Sequence, residues 1–169
     1  MSRGRFPGDV RKLNFMRAGS RRDARRRPIV ELATRLVRSC RPDAWGCMAR
    51  EIHLFCQNAI RYQHDPDLVE RLEPAELTLE LGVGDCDAKA RLAVALARAL
   101  GIEAKVWPIW KGPTLAHVVA GYRWPGSRSF PGARSDGWVI GDSTVKGAAL
   151  GQSPLSVPLN RETGRLPLA

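Results

Sequence analysis

No run of apolar residues in this chain approaches the roughly 18 to 20 needed to carry a helix across a bilayer. The first residues also lack the apolar stretch of a secretory leader, so residence in the cytoplasm is the expectation. Cysteine is scarce: the 169 residues hold four, Cys40, Cys47, Cys56 and Cys86. None stands in CxxC spacing, which removes the usual zinc frameworks, and a cytosolic chain of this size is expected to keep all four reduced. No internal repeat is present. Acidic residues are scarce at one end. Residues 1–28 carry ten Arg or Lys against Asp9 and Asp23, a balance of +8 out of the formal +10 of the whole chain. The remainder, 17 basic and 15 acidic residues, is near neutral at +2. Residues 1–27 therefore read as a basic, flexible N-terminal arm that nucleic acid, an acidic protein or anionic lipid would attract.

What is present is enough to fold: apolar residues make up 44% of the chain, and one domain over 28–150 accommodates them. Pro28 opens a segment with Ile29, Leu32, Ala33, Leu36, Val37 and Cys40 at helical spacing, which predicts a helix over 28–40 with Cys40 in the core. A second helix is expected over 43–62, with Cys47, Met48, Ile52, Phe55, Ala59 and Ile60 inward and His53 and Cys56 in its packing or rim. Residues 68–83 show no sustained period. After Gly82-Val83-Gly84, Asp85 is placed to cap a helix that starts at Cys86 and stops before Gly101. On that helix Ala90, Ala93 and Ala97 share a face with Cys86, and Arg91 and Arg98 fall on the far side. Glu103–Trp110, Leu115–Trp124 and Trp138–Asp142 read as three strands, antiparallel, with Leu115, His117, Val119 and Gly121 on one face. The polar stretch 125–136 is their long connection, and 151–169 is expected to be an irregular tail.

The chemistry begins at Gly84-Asp85-Cys86-Asp87. A thiol on the first turn of a helix meets free N–H groups and the positive end of the helix dipole, which favour thiolate and can receive an oxyanion. His117 and Asp142 follow on two strands. If the strands are neighbours, cross-strand partners lie about 5 Å apart, within reach of an Asp–His bond. Cys86 then has a base and the base has an orienting acceptor, with a thiolate–imidazolium pair formed before substrate arrives. The Cys86 N–H is one oxyanion donor, and Gln57 and Asn58 are candidates for the second. Trp107 and Trp110 are candidates for a substrate groove or for strand packing. Asp85 and Asp87 suit cap and dipole roles. Two carboxylates, one thiol and a distant histidine match no common metal-ligand set, and no cofactor is implied.

These blocks, together with Asn58-Ala59-Ile60-Arg61-Tyr62, Asp65, Thr78-Leu79, Leu96-Ala97-Arg98-Ala99-Leu100-Gly101 and Asp142-Ser143-Thr144, resemble the transglutaminase-like core of the papain-like cysteine peptidase superfamily. Its bacterial and phage-associated members are nearest in style. The resemblance covers about residues 45–145 and implies an α+β fold, the cysteine helix packed on an antiparallel sheet, with Cys86 as nucleophile, His117 as general base and acid, and Asp142 as orienting carboxylate. It implies attack on a peptide or carboxamide through a thioester, with hydrolysis favoured over crosslinking and a protein or peptide as substrate. Lys89 and Ala88 depart from the family, which often places another acidic residue there, and the connection from His117 to Asp142 is long. A contrasting reading is a non-enzymatic assembly or nucleic-acid-binding protein of phage type on the same fold, using the basic arm.

Overall fold

Alanine explains the centre of this molecule. Helix α5, Cys86–Ala99, is buried along its whole length from Asp87 to Ala97, and its small side chains let neighbours approach from every side. A computed structural model describes residues 7–66 and 71–152. Around α5 pack α1 (Pro7–Asp23), α2 (Arg27–Leu36), α3 (Trp45–Asn58) and α4 (Ala75–Leu81), with the strands β3 (Glu103–Lys111) and β4 (Thr114–Arg123) closing the remaining side. A third strand, β5 (Val139–Gly141), completes an antiparallel sheet in the order β3-β4-β5. Two short strands, β1 (Arg61–Tyr62) and β2 (Val83–Gly84), pair in parallel and deliver the chain to Cys86. The fold is α+β, with the cysteine helix on an antiparallel sheet, as the sequence implies.

Helix starts follow local chemistry. Asp85 is extended and accepts the Ala88 N–H at 2.9 Å, capping α5. Gly82, at φ 66°, ends α4 in the left-handed region where a side chain would be strained. Gly84 is needed for space: a Cβ there would sit 2.7 Å from that of Ala88.

Several expectations need correction; the helix expected over 43–62, for one, spans Trp45–Asn58 and gives way to β1. First, residues 7–23 are no flexible arm but helix α1, whose Leu13 and Met16 are buried against the core. Its last residue, Asp23, accepts two hydrogen bonds from Arg91, at 2.6 and 3.3 Å, and one from the Ala75 N–H at 3.1 Å. Second, Arg91 accordingly points to no solvent face and is 4% exposed, because the far side of α5 is where α1 docks. Third, Cys40 and Cys47 form a disulfide across the turn between α2 and α3, where a helix to residue 40 and reduced thiols were expected. Fourth, a bulge breaks the alternation of β4. Ile109 pairs with His117 but Trp110 with Leu115, so Ala116 is the extra residue. Leu115 consequently packs on the core, out of phase with His117, Val119 and Gly121. The structureless reading of 68–83 also misses α4, a helix of only seven residues. Of the expected tail, all but residues 151 and 152 lies outside the described residues. No helix among the described residues is long and apolar enough to cross a membrane.

Candidate active site

Asp142 stands one residue beyond β5, and its two oxygens do different work. Oδ1 accepts the Thr144 hydroxyl at 2.6 Å and the Thr144 N–H at 3.0 Å, closing a tight turn over Asp142-Ser143-Thr144. Oδ2 meets His117 Nε2 at 2.9 Å. A turn-forming carboxylate and a histidine partner are often alternatives; here one side chain serves as both. Because Ala120 pairs with Gly141 and Gly121 with Ile140, the same register would set Asp142 opposite Val119. The bond to His117 is thus a diagonal contact rather than a directly opposed one, and the turn aims the carboxylate.

Burial raises the Asp142 carboxyl, yet the His117 bond and the two Thr144 bonds outweigh it and leave it below the ordinary carboxylate range. An ionised carboxylate only accepts, so Nε2 carries the hydrogen of this bond, and in a neutral imidazole Nδ1 is then the acceptor.

Cys86 is the first residue of α5 and half-buried, as the capping pattern predicts. Helix α5 packs on β4, and the Val118 backbone, next to His117, favours the Cys86 thiolate. The bulge at Ala116 sits immediately before this point. The thiol itself faces Asp87 Oδ1 at 3.6 Å.

The surroundings of Cys86 work against the expected thiolate. Burial, then Asp87, then Asp85, push the Cys86 thiol up to about 12, against the opposing pull of the Val118 N–H and of Lys12. Desolvation and two carboxylates thus oppose what the positive helix end favours. Asp85 is itself pushed up to about 6, first by burial. Lys12 of α1 binds Asp87 Oδ2 at 2.5 Å, and Asp9 accepts the Leu115 N–H at 3.0 Å. Helix α1 thus braces the cysteine segment and the histidine strand together.

Other expected residues are engaged elsewhere. Gln57 has no N–H left for an oxyanion: its amide donates to the Val145 carbonyl at 2.7 Å and to the Ala148 carbonyl at 2.9 Å. Beside it His53, buried, bonds the same Ala148 carbonyl at 2.7 Å, so α3 pins the segment that follows Asp142. Asn58 ends α3 exposed. Trp107 packs against Trp138, ring centres 5.6 Å apart, and Trp110 packs on the core, so both serve the sheet. Lys89 is fully buried and donates to the Ile60 carbonyl at 2.7 Å. Two site residues escaped sequence reasoning. Thr144 was legible in the Asp-Ser-Thr turn. Tyr62 was not, because only the pairing of β1 with β2 sets it opposite Gly84. Burial, and then the charges of Cys86, Asp85, Asp87 and Asp142, raise its phenol, leaving a neutral O–H at the site. Among the described residues no group of His, Cys, Asp and Glu could hold a metal.

A family model described as the transglutaminase-like superfamily matches residues 30–142, two thirds of the chain. The chain belongs to the transglutaminase-like superfamily. Cysteine-dependent hydrolases and transferases are typical of this superfamily, and the match spans Cys86, His117 and Asp142 while leaving α1 outside it. Comparison with curated proteins and with solved structures found no match.

Proposed function

We propose that this transglutaminase-like protein hydrolyses an amide bond in a peptide or protein through a thioester on Cys86. The observation that carries the reading is the ionised Asp142 held 2.9 Å from Nε2 of His117, a histidine on the strand against which the Cys86 helix packs. His117 Nδ1 takes the thiol proton as sulfur attacks the carbonyl carbon. The Cys86 N–H at the helix start receives the oxyanion. The C–N bond then breaks, His117 hands its proton to the departing amine, and a thioester remains. Water, deprotonated by His117, attacks the thioester, and the acid leaves as the thiol regains its proton. Asp142 keeps the imidazole tautomer and direction throughout. With the resting thiol protonated, proton transfer accompanies attack rather than preceding it.

Hydrolysis is preferred to crosslinking because water is always available, whereas amine selectivity requires a second binding surface. The protonated thiol also suits the rival reading, a binding protein without turnover. Acylation by p-nitrophenyl acetate, followed by intact mass, separates them. The expected result is a single acetyl group on Cys86, absent from Cys86→Ala and slowed by about a hundredfold or more in His117→Ala. Equal acylation rates in the parent protein and His117→Ala would overturn the proposal.

A further inference from the structure

Away from Cys86 the molecule carries a concavity of about 560 Å³, formed by α1, the last turn of α5 and the paired ends of β3 and β4. Arg17, Arg21, Arg98, Lys105 and Arg123 line it, against a single acid, Glu103. That acid is already consumed, since Arg123 binds both of its oxygens at 2.7 and 2.8 Å. Arg17 and Arg21 have no ion-pair partner among the described residues. An adjoining hollow of about 400 Å³ extends the same lining through Arg21 and Arg98 to Arg25. Collecting like charges around one cleft is unfavourable unless an anion neutralises them.

The cleft lies at the other end of α5 from Cys86. Twelve residues of helix separate Cys86 from Arg98, about 18 Å, and the six steps of β4 from His117 to Arg123 give about 20 Å. An extended peptide of about six residues covers that distance. The aromatic ring lining the cleft, Trp138, and its neighbour Trp107 argue against nucleic acid. Lys105 sits over both Trp107 and Trp138, Arg134 over Trp107, and Arg123 over Trp138. With those faces covered by cations, bases have no stacking platform, while guanidinium groups remain for carboxylates.

We propose that this cleft is a docking site for an acidic polypeptide segment. As a statement about substrate, an acidic stretch about six residues from the cleaved amide, it rests on the hydrolase reading. As a binding surface it stands alone. The test is fluorescence anisotropy of a fluorescein-labelled octaglutamate peptide with the full chain. The expected result is saturable binding, weakened about tenfold or more in Arg17→Gln/Arg21→Gln. Arg11→Gln/Arg22→Gln removes the same charge from α1 outside the cleft and should change affinity less than about twofold. If the first double variant does not fold, the exposed Arg21→Gln alone should still weaken binding about threefold. Absence of saturable binding, equal losses in both double variants, no loss in Arg21→Gln, or stronger displacement by oligothymidylate of equal charge than by unlabelled octaglutamate would each overturn the assignment. Binding is read without turnover, so its failure and a failure of Cys86 acylation are separate results.

Discussion

Cys86 shows how one position can sum opposing influences. A helix start favours thiolate, yet burial and two neighbouring carboxylates raise this thiol to about 12. The sign of each neighbour gives a pH prediction. Below its pKa a thiol gains about tenfold in thiolate per pH unit, so alkylation of Cys86 by iodoacetamide should climb from pH 7 to pH 10 without a plateau. Asp87→Asn removes an anion that disfavours thiolate and should speed labelling several-fold at pH 8. Lys12→Ala removes a cation that favours it and should slow labelling. Peptide mass spectrometry reads Cys86 apart from Cys56, which is buried and also pushed up to about 12. A rate plateau below pH 7 would show a thiolate already formed.

At the scale of elements, α1 is the largest departure from the pattern of the sequence. Its charge is that of a solvated tail, and the signal of its burial is short: Leu13 and Met16 one turn apart, then Gly19 and Asp23 in register with Arg91. At Gly19 a Cβ would lie 2.4 Å from the Arg91 guanidinium, which would have to shift off Asp23. The Asp23 and Arg91 side chains are 8% and 5% exposed, and removing one partner leaves a buried unpaired charge, a cost of about 3 to 5 kcal/mol. Asp23→Ala should therefore lower the melting temperature by more than 10 °C or so for a chain this size. Deleting residues 1–23 should do at least as much. Differential scanning calorimetry measures both. An unchanged melting temperature after the deletion would restore the flexible-arm reading.

For the whole molecule, α5 is the post on which four helices and the sheet are hung, and the Cys40–Cys47 bridge locks the turn joining two of those helices. The bridge closes a short loop of sequence separation 7, so its effect on the unfolded chain is small, about 2 kcal/mol. Melting with and without dithiothreitol should differ by several degrees in that direction, and a Cys40→Ser/Cys47→Ser variant should melt at the reduced value and ignore the reductant. The same measurement tests the bridge itself: free thiols at both positions in untreated protein would remove it.

The sequence by itself determined the three strands of the antiparallel sheet to within a residue and the capped cysteine helix, and it singled out His117 and Asp142, which the structure brings together. Each rests on a local signal: alternation, an Asp cap, a Gly-Asp-Ser-Thr turn. The short pair β1 and β2, at the end of the helix expected over 43–62 and before Cys86, was not legible. Tertiary structure decided what those signals could not. The bulge at Ala116 reset the phase of β4, α3 claimed Gln57 for the turn after Asp142, and α1 closed over the face of α5 where Arg91 had seemed free. The protonation of Cys86 belongs there too, since a pKa depends on burial and on charges brought close by folding, Lys12 among them. Local chemistry chooses a side chain's capacity, and only its packed neighbours fix its charge and its partner.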